Sequence, residues 1–397
     1  MNKTKSAKDL KTLLKILLVS TRLGLTSFGG PIAHLGYFHE EYVRKRKWIA
    51  EDKYADLVAL AQFLPGPASS QVGIGIGVYR GGLLGGLLAF IGFTLPSVIA
   101  LTIFALISQG TELGQSGWIH GLKLVAVAVV AHAIVGMAKN LTPDLPRKAM
   151  ALAALACVLL WQNTLAQVLV IAAAGLAGFI LYKHQQSTDL NEKDFPLSRR
   201  FASICLILFF ALLILLPIAN KMTDVKWLAM FDSFYRSGSL VFGGGHVVLP
   251  LLEKEFVPSG WLDKEAFLAG YGATQAMPGP LFTFASYIGA VIDGWKGALL
   301  ATAAIFLPAF LLILGTLPFW NSLRNNPKIR GAVLGVNAGV VGILIAAFYD
   351  PIWKSSVFNA SDFVFAAVLY SLLAYWEMPP WVIVVLGAIG GAVLAAF

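Results

Sequence analysis

Two arginines hold the same place in two similar stretches of this chain: Arg22 lies six residues before Phe28, and Arg236 six before Phe242. Both sit inside apolar runs, where a charged side chain costs at least about 2.5 to 3.5 kcal/mol at the centre of a spanning helix and marks a functional site by default. A guanidinium keeps its proton and offers a planar fork of donors suited to a tetrahedral oxyanion. The structural alternative is snorkelling to the headgroups, which Arg22, early in its run, is placed to do. Each arginine leads into a glycine-rich turn, Phe28-Gly29-Gly30-Pro31 or Phe242-Gly243-Gly244-Gly245. Further on each meets a second break, Gln62-Phe63-Leu64-Pro65-Gly66-Pro67 or Gln275-Ala276-Met277-Pro278-Gly279-Pro280.

A Pro-Gly-Pro in an apolar run reads as helix, break, helix. The first proline removes an N–H and pushes its predecessor out of the α region, glycine turns, and the second proline suits the first position of a new helix. The first amides of a half-helix have no intrahelical acceptor and carry the positive end of its dipole. Here these are the amides after Pro31 and Gly245, those of Ala68, Ser69 and Ser70, and those of Leu281, Phe282 and Thr283. Four such ends with two arginines make a compact anion site. Ser69, Ser70 and Thr283 add hydroxyls and Gln62 and Gln275 add amide donors, unless the hydroxyls bond back to helix carbonyls instead. His34 and His246 follow the two glycine-rich turns as proton-sensitive or structural histidines. Glu41 and Glu255 match between the stretches and are candidates for a coupling proton, against the plainer reading of an ion pair with a loop base.

Several chemistries find no support in these residues. His34 and His39 are five apart rather than the four that share a helix face, so no metal site is expected, and no cofactor. There is no Gly-x-x-x-x-Gly-Lys-[Ser/Thr] motif for a nucleotide. An intramembrane enzyme acting on a lipid phosphate would need a catalytic carboxylate or Ser/His pair at the site, so an enzyme is not expected. Cys157 and Cys205 lie in apolar segments and read as packing residues.

The elements that must position these groups are membrane helices. Of 397 residues 57% are hydrophobic and only 13% charged, about half the charged share of a soluble domain. The net charge of +9 clusters at segment ends, as membrane topology places it, so nucleic acid is not the implied partner. The basic start lacks a small-residue cleavage site before the apolar run, so no removable leader is expected.

Helices are expected near 10–27 and 32–43, with the glycine-rich turn between them, and at 54–64 and 68–80 around the first Pro-Gly-Pro. A hairpin over 10–43 returns Arg44-Lys45-Arg46-Lys47 to the cytoplasmic side, as the positive-inside rule requires. Crossings follow near 82–108, 118–139, 148–162, 165–182 and 201–219, and after the second set of breaks near 296–320, 331–349, 361–375 and 380–397. An odd number of crossings puts the second stretch on the outer side, where its loop at 253–265 is acidic. Pro250 is expected to interrupt the returning helix of that stretch. The chain therefore divides into a first repeat at 1–182, a cytoplasmic linker with a connecting helix at 183–227, and a second repeat at 228–397. The fold class is an all-α polytopic membrane protein of two inverted-topology repeats, each with re-entrant hairpins.

Ser27-Phe28-Gly29-Gly30-Pro31-Ile32-Ala33-His34, the Gln62-x-x-Pro65-Gly66-Pro67 break and their second-half counterparts resemble the chromate transporter family in its long form, with both homologous halves fused. The resemblance covers nearly the whole chain and is strongest over 20–100 and 234–310. It implies a multi-pass carrier in the bacterial inner (plasma) membrane that exports chromate, a doubly charged tetrahedral oxyanion close to sulfate, using the membrane energy gradient. Sulfate or another anion is the alternative cargo, and an anion channel the alternative mechanism. Expected partners are the oxyanion and the lipid bilayer, with a homodimer left open.

Overall fold

The computed structural model describes residues 3–27, 30–108, 117–161, 164–182, 197–242, 245–320 and 326–394, and every regular element among them is helical. Phe28, Gly29, Gly243, Gly244, most of the linker and the His246 side chain lie outside the described residues. The first half comprises α1 (Lys3–Thr26), α2 (Gly30–Phe38, running on as a π turn His39–Lys45), α3 (Glu51–Phe63), α4 (Ala68–Ser108), α5 (Gly117–Leu141), α6 (Leu145–Leu160) and α7 (Thr164–Leu181). After α8 (Arg199–Met222) come α9 (Lys226–Leu240), a 3-10 turn Gly245–Val247 leading into α10 (Val248–Phe256), and α11 (Lys264–Thr274). A second 3-10 turn, Leu281–Thr283, opens α12 (Phe284–Thr316), followed by α13 (Pro327–Ala347), α14 (Ala360–Ala374) and α15 (Pro380–Leu394).

Helices α4 and α12 are not straight rods. The backbone reverses at Gly81-Gly82 and at Asp293-Gly294, where Gly82 has φ 64° and Gly294 φ 56°. Glycine alone takes such angles without strain. A Cβ on Gly77 would collide with the Gly85 carbonyl, and one on Gly289 with that of Gly297. Residues eight apart in a straight helix would be about 12 Å from each other. The arms 68–80 and 83–108 therefore lie back to back, as do the arms either side of Gly294. Five helical stretches are long and apolar enough to cross a membrane, and two of them are these hairpins. Only their longer arms, 83–108 and 295–316, reach the ~30 Å of a hydrocarbon core.

The outward surface is apolar. Leu84, Leu87, Leu95, Ile99, Ile103 and Ile107 form an exposed stripe on α4, and Ile204, Ile207, Ile214 and Ile218 do the same on α8. Exposed Leu and Ile at helical spacing over such lengths are what a lipid-facing surface requires. With the helical backbone satisfied internally, the fold is that of a multi-pass membrane protein.

The two halves interdigitate. Helix α5 packs on α15 through Gly121, Gly387 and Gly391, and α13 packs on α7 through Gly331, Gly335 and Gly178. A Cβ on Gly121 would strike the Gly387 carbonyl, and one on Gly335 the Ala174 carbonyl. Small residues of this kind let helix backbones approach in lipid, where hydrophobic attraction between helices is absent. Each half thus lends its last helix to the other half. The hydrophobic clusters follow suit, with Ile16, Leu57 and Phe93 packed in one core with Tyr235, Leu312 and Trp320.

Two expectations change. Pro250 does not interrupt α10; it falls in the first turn after Gly245–Val247, where a missing N–H costs little. Cys157 is exposed, while Cys205 is buried and packs with Phe209 and Tyr235. The short helices α6 and α7 pack chiefly on α13, and α14 and α15 chiefly on α5, each pair also touching within itself.

The clasp gives a prediction of sign. Gly→Ala in a helix ordinarily gains up to about 1 kcal/mol of propensity. Gly136→Ala, with nothing within 4 Å of its Cβ, should hold or raise the thermal midpoint of the purified protein in detergent. Gly121→Ala should lower stability by about 1–3 kcal/mol, because the new methyl meets backbone. Equal midpoints for the two variants would remove the clasp.

Candidate functional site

The two Pro-Gly-Pro breaks are built alike and hold each other's halves. Leu64 is extended after α3, and Gly66 and Gly279 have φ 110° and 95°, a region that favours glycine. The Gly66 N–H donates to the carbonyl of Val241 at 2.7 Å, and the Gly279 N–H donates to the carbonyl of Ser27 at 2.8 Å. Ser27 and Val241 each immediately precede the Phe-Gly-Gly of their own half. Each break is thus tied to the glycine-rich turn of the opposite half. Neighbouring contacts repeat the exchange: Gly66 rests on Ala309 beside Pro308, and Gly279 on Ser97 beside Pro96, whose hydroxyl also donates to the Pro278 carbonyl. Gly24 abuts the Phe93 carbonyl where Gly238 abuts that of Ile305.

Around these breaks lie buried polar groups with nothing to bind. His34 is 1% exposed, its Nδ1 3.3 Å from Ser69 Oγ and its ring edge-on to Phe93. Its Nε2 has no partner among the described residues, and neither have Ser27 Oγ, Ser70 Oγ, Thr94 Oγ1, Ser237 Oγ and Gln275 Nε2. All belong to residues no more than 6% exposed. A buried donor left unsatisfied costs about 1–3 kcal/mol, so a cluster of them at two helix breaks is a cavity chemistry in search of acceptors. Gln71 Oε1, an acceptor, is unpartnered there as well, but most of these atoms are O–H or N–H donors, which suits an anion with several oxygens. The α4 amides of Ala68, Ser69 and Ser70 add dipole at the same place.

Other expected members are placed differently. Gln62 is exposed, on the outer face of α3. The glutamine that serves the first break is Gln71, wholly buried, donating from Nε2 to the Pro65 carbonyl at 2.8 Å. Thr283 bonds back to the Pro280 carbonyl through both its hydroxyl and its N–H, so its amide is not free. Gly245 is buried against Leu281, bringing the second half's own two breaks together, and Gly30, with φ 80°, opens α2 ahead of Pro31. Phe242 is half-buried beside the larger core. Ser27, Gln71, Thr94, Ser97 and Ser237 were not singled out by sequence. A signal existed for Ser97, which follows the proline that aligns with Pro308.

The two arginines differ. Arg22 is exposed and pairs with no carboxylate among the described residues. Arg236 is partly buried, and one Nη2 lies 3.0 Å from both Asp232 and Glu255. Glu41, 6% exposed, pairs with Arg46 at 2.7 Å, which is the plain ion-pair reading. Among the described residues the Arg236 guanidinium is already shared by two carboxylates and Arg22 is exposed, so an anion at the breaks would be met chiefly by half-helix dipoles and neutral donors.

Broken helices, exchanged between halves and ringed by unmet buried donors, define a membrane protein of the transporter class. The chromate transporter family model matches residues 14–179 and 228–392, and the chain belongs to the chromate transporter family. A probable chromate transport protein of Synechococcus elongatus is 28% identical, over 98% of this chain and 96% of its own length. Chromate transport proteins of Pseudomonas aeruginosa and Cupriavidus metallidurans are 28% and 26% identical, over 83% and 95% of this chain and 78% and 92% of theirs. No solved structure matches.

The arginines give the second prediction. Arg236→Gln leaves two carboxylates without their cation and should cost on the order of 3 kcal/mol. Arg22→Gln should stay within about 0.5 kcal/mol, as surface changes do. Thermal unfolding of both in detergent decides; equal losses would put Arg22 in a buried pair.

Proposed function

We propose that this chain is a secondary active transporter of a divalent tetrahedral oxyanion, with chromate efflux across the bacterial inner membrane as its first assignment. The observation that carries the reading is the reciprocal pair of bonds between the breaks, Gly66 to Val241 and Gly279 to Ser27, surrounded by unpartnered buried donors. Exchange of equivalent contacts between halves is what a two-fold relation produces, and it supports one site shared by both breaks. Phe90 resting on both Phe306 and Phe310 marks a crossing of the long arms of α4 and α12. That crossing supports inverted repeats spanning 1–182 and 228–397, with the 183–227 segment carrying the chain between them. The relatives' names supply the cargo; the donors at the breaks suit its shape and charge.

In this reading the dianion sheds water among the hydroxyls of Ser27, Ser70 and Thr94, the Gln275 amide and the first amides of α4. Rocking of one half against the other, with the bonds at Gly66 and Gly279 exchanging, would open the site to each side in turn. The membrane potential, negative inside, drives an anion outward. Sulfate, of the same shape and charge, is the competing cargo.

The test is chromate accumulation by everted membrane vesicles containing this chain, energised or not, with sulfate as competitor. Energised, saturable accumulation is expected. Thr94→Val and Ser70→Ala should each raise KM roughly 10-fold or more, since a hydrogen bond to a charged group is worth about 1.5–3 kcal/mol. Unchanged KM in both variants would move the site elsewhere. Sulfate transport without chromate transport would keep the site and change the cargo. Non-saturating flux that collapses the gradient would make the chain a channel.

A further inference from the structure

The ion cluster on α9 sets two carboxylates against one guanidinium; the other charges on α10 are Glu253 and Lys254, which act on each other. Asp232 and Glu255 both place a carboxylate oxygen 3.0 Å from the same Arg236 nitrogen. Asp232 is 2% exposed, and its Oδ1, like Arg236 Nε, has no partner among the described residues. Fully ionised, the three side chains carry one surplus negative charge in a buried place. From α8, Asn220 Nδ2 reaches Asp232 Oδ2 at a long 3.5 Å; from α10 comes Glu255. Helix α12 also packs on α9, but its charged residues, Asp293 and Lys296, sit at its hairpin turn. Two carboxylates sharing one cation do not both ionise readily, and they titrate as a pair.

At the matching place the described residues of the first half show no such surplus. Leu18, 68% exposed, stands where the second half has Asp232, and Glu41 is matched one-to-one by Arg46.

The cluster also lies between water and the breaks. Asn220 lines a cavity of about 480 Å³ together with Thr223, Asp224, Lys226 and Trp261. Trp227 and Trp295 are exposed beside it, the residue type that sits at headgroup level. In the other direction α9 ends at Val241, whose carbonyl holds the Gly66 N–H. Nine residues of helix put that bond about 13 Å from Asp232.

We propose that Asp232, held by Arg236 and Glu255, binds an exchangeable proton whose occupancy is coupled to that of the oxyanion at the breaks. This rests on the anion site proposed above. A proton from water in the Asn220 cavity adds to Asp232 Oδ1, turning carboxylate to acid and cancelling the surplus charge; on anion release the same proton returns to that water. A dianion about 13 Å from an uncompensated carboxylate is repelled appreciably at protein-like dielectric. Protonation therefore favours anion binding, and by linkage anion binding favours protonation to the same degree.

The experiment uses the purified full chain in weakly buffered detergent solution, with sulfate as the probe because it carries no proton near neutral pH. Proton uptake on sulfate addition is followed with a pH indicator, and sulfate affinity is measured at pH 6 and pH 8. Wild type is expected to take up protons on binding and to bind roughly 10-fold or more tightly at pH 6. Asp232→Asn should bind with one affinity at both pH values and take up no protons, while anion counterflow in vesicles persists. Glu255→Gln, which relieves the surplus while keeping Asp232, should flatten the pH dependence as well and serves if Asp232→Asn does not fold. Wild-type binding without proton uptake and with equal affinity at both pH values would overturn the proton site and leave the anion site standing. Retention of wild-type pH dependence in Asp232→Asn would overturn it too. Absence of binding to either sulfate or chromate in folded wild type would sink the anion site, and the proton site with it.

Discussion

Two hydrogen bonds bear the structure's central difficulty. Breaking a helix inside a membrane strands backbone groups that lipid cannot solvate, each costing several kcal/mol. This chain does it at Pro65-Gly66-Pro67 and again at Pro278-Gly279-Pro280, and in each case the glycine N–H finds a carbonyl of the other half. Gln71 and Thr283 serve carbonyls of their own breaks, but each glycine N–H is met from the other half. The dependence is mutual, so the breaks are stable only when the halves are assembled, and assembly necessarily brings the breaks together. Small residues elsewhere obey the same constraint. Gly24 and Gly238 let their helices approach Phe93 and Ile305 closely enough for the bonds to form, and the Gly121 and Gly335 clasps interlock the outer helices across the halves.

That dependence explains how much was legible in the sequence. The Pro-Gly-Pro breaks and the division of 68–108 near residue 81 could be read because proline and glycine restrict the backbone itself, whatever surrounds them. Helix bounds fell close to expectation for the same reason. What could not be read was rotation about a helix axis. Gln62 and Gln275 occupy matching places in the sequence, yet one is exposed and the other buried, and Gln71 serves the first break instead. A difference in register at a kinked junction is invisible to a motif. Pro250 was misjudged because its place relative to the helix start, set by the 3-10 turn before it, decides whether it breaks anything.

The arginines show the same limit in electrostatic form. Arg22 and Arg236 match in sequence context, but their consequences depend on one neighbour a turn away, leucine at 18 and aspartate at 232. With no carboxylate paired to it among the described residues, Arg22 is exposed; with two, Arg236 is held in. Matching residues from duplicated halves are thus a guide to backbone architecture and a poor guide to charge.

That asymmetry has a physical consequence for any anion held between the halves. A site made only of dipoles and hydroxyls is nearly symmetric and favours neither side of the membrane. The second half adds a buried charge imbalance within reach of a cavity, and the first half does not. A field present on one side only makes the two orientations of the site unequal in energy by an amount that protonation can change. On the proposed reading, duplication supplies a shared, reversible site and divergence in one half the means to bias it; a strictly symmetric pair of halves would have the first without the second.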